Sequence, residues 1–284
     1  MSVLGQVSTL SRSTRFIEED TLVAYGAQHV VGDSAQMPTQ HRRARFPILP
    51  ISRRDELVPI FTCSPWKSYD KKYRIQFGYS FGVVTARDSH ETCLIRSITG
   101  QNIEEQILHL RQICHPNILV AMEIFIYPKE DCFLISEFMH TTLLHLCRAP
   151  VYPSEQQLSS ILHQVLSGAV FLLESGLVYE ELSVADVLIN LEGEVKIGDV
   201  KRCRRGGDTA KLLDSFGRLA MKLMEKEKTE DTVPEAIEIF TAANSKPDLK
   251  ELLGHSFMKK REQKELKWLV HSVLITAYYS REEI

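Results

Sequence analysis

The stretch Leu177 to Lys201, LVYEELSVADVLINLEGEVKIGDVK, constrains this chain more than any other. Val187-Leu188-Ile189 is a short apolar run, Leu191-Glu192-Gly193-Glu194 offers a turn whose glycine tolerates positive φ, and Val195-Lys196-Ile197 alternates. This spacing predicts a two-stranded hairpin. Asp186 and Asp199 flank it, so one hairpin carries a carboxylate at each end.

Before it, Pro153-Ser154-Glu155-Gln156-Gln157 reads as a capped helix start. Leu158, Ile161, Leu162, Val165, Leu166, Ala169 and Leu173 then form one apolar face, and Gly176 can close the helix. Nearer the N-terminus, Tyr73–Phe77, Phe81–Ala86 and Thr92–Ile98 read as strands, followed by a helix from Asn102 to Ile113 and by strands over Val120–Tyr127 and Cys132–Phe138. The expected sheet has five antiparallel strands. Farther on come a helix carrying Leu212, Phe216, Leu219, Ala220 and Leu223, a helix over Pro234–Thr241, a short one from Leu249, and a last one over Glu262–Tyr279.

Three pieces in this order resemble the eukaryotic protein kinase family: His115-Pro116-Asn117, the flanked hairpin, and Leu252-Leu253-Gly254-His255-Ser256-Phe257-Met258. The chain is also similar to truncated kinase-like proteins of fungi. The resemblance implies an α+β, two-lobed kinase-like fold, with a small antiparallel sheet and one helix above a mainly helical lobe. Its expected divisions are an N-terminal extension over 1–68, an N-lobe over 69–139 and a C-lobe over 140–284.

At the positions that carry the family's chemistry, most residues differ. The His-Arg-Asp loop falls on Tyr179-Glu180-Glu181, which puts Glu181 at the place of the catalytic base. The lysine that follows falls on Ser183, the metal-binding Asn on Asp186, and Asp-Phe-Gly on Asp199-Val200-Lys201. Arg96 replaces the nucleotide-binding lysine and Gln106 its glutamate partner. Gly82 matches the end of the glycine-rich loop, Ser136 the gatekeeper and Glu137 the hinge. Only 15 positions separate Asp199 from Asp214 (214 − 199), and no Ala-Pro-Glu lies between them, so the activation segment is shortened.

By this resemblance, Gly82, Arg96, Ser136, Glu137, Asp186 and Asp199 would contact ATP, with Asp186 and Asp199 as Mg²⁺ ligands. The reading is a catalytically impaired module, a pseudokinase, acting as a signalling or scaffolding unit that binds a protein partner and still able to bind nucleotide. The alternative is an active, atypical serine/threonine kinase. Lys201-Arg202-Cys203-Arg204-Arg205 reads as one plausible contact for an acidic or phosphorylated segment of that partner.

The 284 residues are 44% hydrophobic and 25% charged, enough to bury a sizeable core. No run approaches the ~18 apolar residues of a spanning helix, and the N-terminus has no apolar signal core. The expectation is an intracellular protein, cytoplasmic or nuclear, without a membrane partner. A net charge of −3 gives no case for nucleic acid. The six cysteines lack a Cys-x-x-Cys pair and read as reduced packing residues. His41-Arg42-Arg43-Ala44-Arg45 reads as a basic patch in a loosely docked arm.

Overall fold

The computed structural model describes residues 57–99, 103–127, 132–224 and 248–279. The expected basic patch at 41–45, the Asn102 cap, the turn at 128–131 and the helix at 234–241 lie outside the described residues.

Six strands form the first sheet: β1 (Ile60–Phe61), β2 (Tyr69–Phe77), β3 (Tyr79–Ala86), β4 (Thr92–Ile98), β5 (Ala121–Ile126) and β6 (Cys132–Glu137), in the order β1-β5-β6-β4-β3-β2. Helix α1 (Ile103–Gln112) lies between β4 and β5 in the chain. Five of these strands are the expected antiparallel set. The sixth, β1, runs parallel to β5 at the sheet edge and pairs Ile60 with Ile124. It is recruited from upstream of position 69 because Val58 buries its side chain in the core, while Arg111 of α1 donates Nε–H to the Val58 carbonyl at 2.9 Å. Strand β2 starts earlier than its apolar pattern indicates: it is an edge strand, and Asp70, Lys71 and Lys72 face away from the core.

The second lobe is built on α3 (Glu155–Glu174). Ser154 accepts from Gln157 N–H at 3.3 Å while Gln157 Oε1 accepts from Ser154 N–H at 2.8 Å, which is the reciprocal cap expected from the sequence. Leu158, Ile161, Leu162, Val165, Leu166 and Ala169 are all buried. Around it lie β7 (Thr141–Thr142), α2 (Leu143–Arg148), β8 (Leu177–Val178), β9 (Val187–Ile189), β10 (Val195–Ile197), β11 (Arg204–Arg205), α4 (Thr209–Met224), α5 (Leu249–Leu253) and α6 (Gln263–Tyr279).

Strands β9 and β10 form the expected hairpin, pairing Val187 with Ile197 and Ile189 with Val195, and β7 adds a third strand. Gly193 turns the hairpin at φ 76°, where a side chain would also meet the Gln263 carbonyl and Leu266. The short α2 escaped the sequence reading. It is two turns or less, starts on the Thr142 cap, and has no room for a full apolar period.

His115-Pro116-Asn117 ties the lobes together. Asn117 Nδ2 donates to Gln164 Oε1 of α3 at 3.1 Å and to the Val195 carbonyl at 3.0 Å, and its own carbonyl accepts from Ile197 N–H at 2.9 Å. Gln164 Oε1 also accepts from Val195 N–H at 2.9 Å, so one amide oxygen joins Asn117 to β10.

Candidate functional site

The hairpin sets both candidate carboxylates at the junction of the lobes, and each meets an arginine. Arg96 on β4 donates Nη1–H to Asp199 Oδ1 at 2.6 Å, with both side chains largely shielded from solvent. Arg202, in the turn after Asp199, donates Nη1–H to Asp186 Oδ1 at 2.6 Å. The other Asp186 oxygen accepts from Ser183 Oγ at 2.6 Å and from Ser183 N–H at 3.0 Å. Asp186 is 2% exposed, so its charge depends on these partners.

Glu181, at the base position, points outward with 82% of its side chain exposed; Arg202 Nη2 lies 3.9 Å from its Oε2. One guanidinium thus stands between the base position and a candidate metal ligand. Glu137 at the end of β6 accepts from Lys196 Nζ at 2.7 Å on each of its two oxygens, joining the hinge to β10. Gly82 lies inside β3, paired with Arg74 and Ile95, and a Cβ there would press on Ile95 of β4. Its lack of a side chain serves strand packing. Ser136 is buried beside a cavity of about 10 Å³ that Arg96, Phe81 and Gly198 also line. That volume is on the order of one water, whereas ligand pockets run to ~300–1,000 Å³.

The space beneath β3 is filled by the chain itself. Phe77, Phe81, Val83 and Leu94 pack from above on Leu119, Met139 and Leu188. The β2–β3 turn is the single residue Gly78, at φ 69°, and a Cβ there would come within 2.7 Å of the Ala185 carbonyl oxygen. The hairpin tip therefore rests on the loop that holds Asp186. Tyr79 follows and turns its ring under the sheet, 4.8 Å from the Phe81 ring and 5.3 Å from the Arg96 guanidinium carbon. Burial pushes its phenol well above the usual tyrosine range, Arg96 opposing and Asp199 and Asp186 adding to the rise.

ATP with Mg²⁺ does not fit this arrangement. A divalent ion would displace two guanidiniums from its own ligands, and adenine would displace packed side chains. Exposing two large side chains costs on the order of 3–6 kcal/mol, or about two to four decades of affinity, which takes a micromolar ligand to about 0.1–10 mM.

Outside the cleft, Glu180 holds the shortened activation segment. Its carboxylate accepts Asp208 N–H at 2.9 Å and lies 3.6 Å from both Arg204 and Lys211. The Asp208 hydrogen bond chiefly holds its pKa below the usual carboxylate range, the two cations adding and burial opposing. Burial also pushes the Cys203 thiol up to about 12, so it is not a thiolate at neutral pH. The basic run is accordingly anchored from within, with Arg202 and Arg204 turned toward carboxylates. A groove of about 280 Å³ lies between Tyr179–Glu181 and Lys201–Arg204.

Sequence reasoning missed Tyr79, Lys196, Arg202 as an Asp186 partner, and Ser215, whose hydroxyl receives Leu182 N–H at 3.3 Å. One signal was available: Lys196 lies between Val195 and Ile197 in a short apolar strand; the fold buries all three residues, and a buried lysine calls for a carboxylate.

Residues 84–220 match the protein kinase domain family. Serine/threonine-protein kinase CST20 of Candida albicans is 27% identical over 148 residues, 49% of this chain and 12% of that protein. Mitogen-activated protein kinase HOG1B of Wallemia ichthyophaga is 34% identical over 91 residues, 32% of this chain and 24% of its own. Serine/threonine-protein kinase SSN3 of Phaeosphaeria nodorum is 30% identical over 130 residues, covering 44% and 29%. The chain spans less than a third of the length of each. Among the described residues no helix is long and apolar enough to cross a membrane. The two-lobed architecture, the ordered motifs and this match together support a eukaryotic protein kinase-like superfamily for the chain.

Proposed function

We propose that this is a catalytically silent kinase-like module that acts by binding another protein. The observation that carries this reading is Arg202, bonded to Asp186 and facing Glu181. Phosphoryl transfer needs a metal-bound nucleotide, a group that positions the acceptor hydroxyl, and cations around the transferring phosphoryl. Here a cation of the chain itself covers a candidate metal ligand and faces the base position. Glu181 also carries one methylene more than aspartate, a displacement of about 1 Å that can cost ~100-fold.

A module of this kind keeps the kinase core while its surfaces make the contacts. The groove beside Arg202 and Arg204 offers guanidinium donors to an acidic or phosphorylated segment of a partner. The test is phosphate transfer from ATP, with Mg²⁺ and with Mn²⁺, to generic serine, threonine and tyrosine substrates. No turnover above a catalyst-free control is expected. Turnover that disappears on Asp199→Ala would overturn the reading in favour of an active, atypical serine/threonine kinase.

A further inference from the structure

We propose that Tyr79 is a tethered occupant of the interlobe cleft: its side chain, seated against Gly198 between the Arg96–Asp199 and Arg202–Asp186 pairs, holds the lobes closed in place of an exchangeable ligand. The inference rests on the non-catalytic reading above and concerns how that module keeps its shape.

Three independent features converge on this side chain. The first is the turn that aims it. With Gly78 as the whole of the β2–β3 turn and its tip on Ala185, residue 79 has little freedom to swing outward. The second is the seat. Gly198 immediately precedes Asp199, and a Cβ at that position would overlap the Tyr79 hydroxyl; it would also lie 3.1 Å from the Asp186 carbonyl oxygen. The missing side chain at 198 makes the space that the phenol fills.

The third feature is the polar content of the seat. Among the described residues neither the buried Tyr79 hydroxyl nor the buried Arg96 Nε has a protein hydrogen-bond partner, and Arg96 and Gly198 line the water-sized cavity. Ordinary core packing at 79 would favour phenylalanine, which fills the same space with no unpaired donor. A tyrosine placed among two arginines and two aspartates instead presents a polar tip where the family fold otherwise receives a charged ligand. The plug therefore supplies apolar contact through its ring, while its hydroxyl makes no hydrogen bond to the described protein residues.

The experiment is a double-mutant cycle on the full chain, read by thermal unfolding. Gly198→Ala is expected to lower Tm by roughly 4–8 °C when Tyr79 is present. In the Tyr79→Ala background the same change is expected to lower Tm by less than half as much, because the new methyl then enters the vacated space. An equal loss in both backgrounds overturns the proposal. If Tyr79→Ala does not fold, hydrogen exchange on the unaltered chain decides. Slow exchange of the 78–81 and 198–199 amides without ligand, unchanged by ADP, supports a resident plug; fast exchange slowed by ADP overturns it. The two readings fail separately: turnover with the coupling intact removes only the non-catalytic one, and absent coupling without turnover removes only the plug.

Discussion

Tyr79 and Gly198 are complementary across the lobes: the phenol hydroxyl occupies the space that a side chain at 198 would need. Among the described residues the hydroxyl has no protein hydrogen-bond partner. Tyr79→Phe should therefore leave stability unchanged or raise it by up to about 1–2 kcal/mol, since no protein hydrogen bond is lost and the ring is kept. Chemical denaturation of the two proteins checks this. A loss above about 1 kcal/mol would indicate that the hydroxyl is hydrogen-bonded after all.

The Glu137–Lys196 clamp should respond asymmetrically. Glu137→Ala leaves the Lys196 ammonium 10% exposed with only Glu194, 3.5 Å away, so its loss should reach about 3–5 kcal/mol. Lys196→Met leaves a carboxylate that is 30% exposed and can take up water, and should cost about 1–3 kcal/mol. Equal costs for the two single mutants would argue against a clamp held by the burial of Lys196.

Gly78 and Gly206 provide an internal control for the hairpin tip. Both have positive φ, 69° and 64°, but a Cβ at 206 meets nothing within 4 Å. Gly206→Ala should cost about 1–2 kcal/mol for backbone conformation alone. Gly78→Ala should cost clearly more, because the methyl also strikes the Ala185 carbonyl. Matching losses would mean that the tip stands clear of the loop.

Burial holds His115, His140 and His163 below the ordinary histidine value of 6.5. In His115 the neutral ring also accepts Asn117 N–H on Nδ1 at 3.1 Å, a bond that protonation would break. A depressed folded-state pKa means that the unfolded chain takes up protons first as pH falls. The associated stability is complete above about pH 6.5 and is lost as pH drops through that value toward the folded pKa. Tm should fall between about pH 7 and 5.5, before the carboxylates titrate, and the His115→Gln/His140→Gln/His163→Gln triple mutant should flatten that slope. A wild-type Tm that stays level over this range would contradict the assignment.

Much of the fold was legible because its signals are local. The hairpin announces itself through two short, largely apolar runs either side of Gly193, and α3 through a cap at Ser154 followed by twenty residues with one apolar face. Strand β1 was not legible, since two residues carry no period and their pairing with Ile124 and Phe125 depends on the docking of Val58. For the site, sequence indicated where the carboxylates fall but not what they meet. Arg96 and Asp199 are 103 positions apart and Glu137 and Lys196 are 59 apart, so neither pairing leaves a trace in either neighbourhood. The basic run after Asp199 reads as a partner contact until the fold turns Arg202 back onto Asp186.

The central claim is that the chain's own side chains fill the cleft and cover its carboxylates. Calorimetric titration of the unaltered protein with ATP, in Mg²⁺ and again in EDTA, tests it most directly. The account predicts no saturable heat up to about 0.1 mM nucleotide in either buffer. Saturable micromolar binding that requires Mg²⁺ and disappears on Asp199→Asn would contradict it.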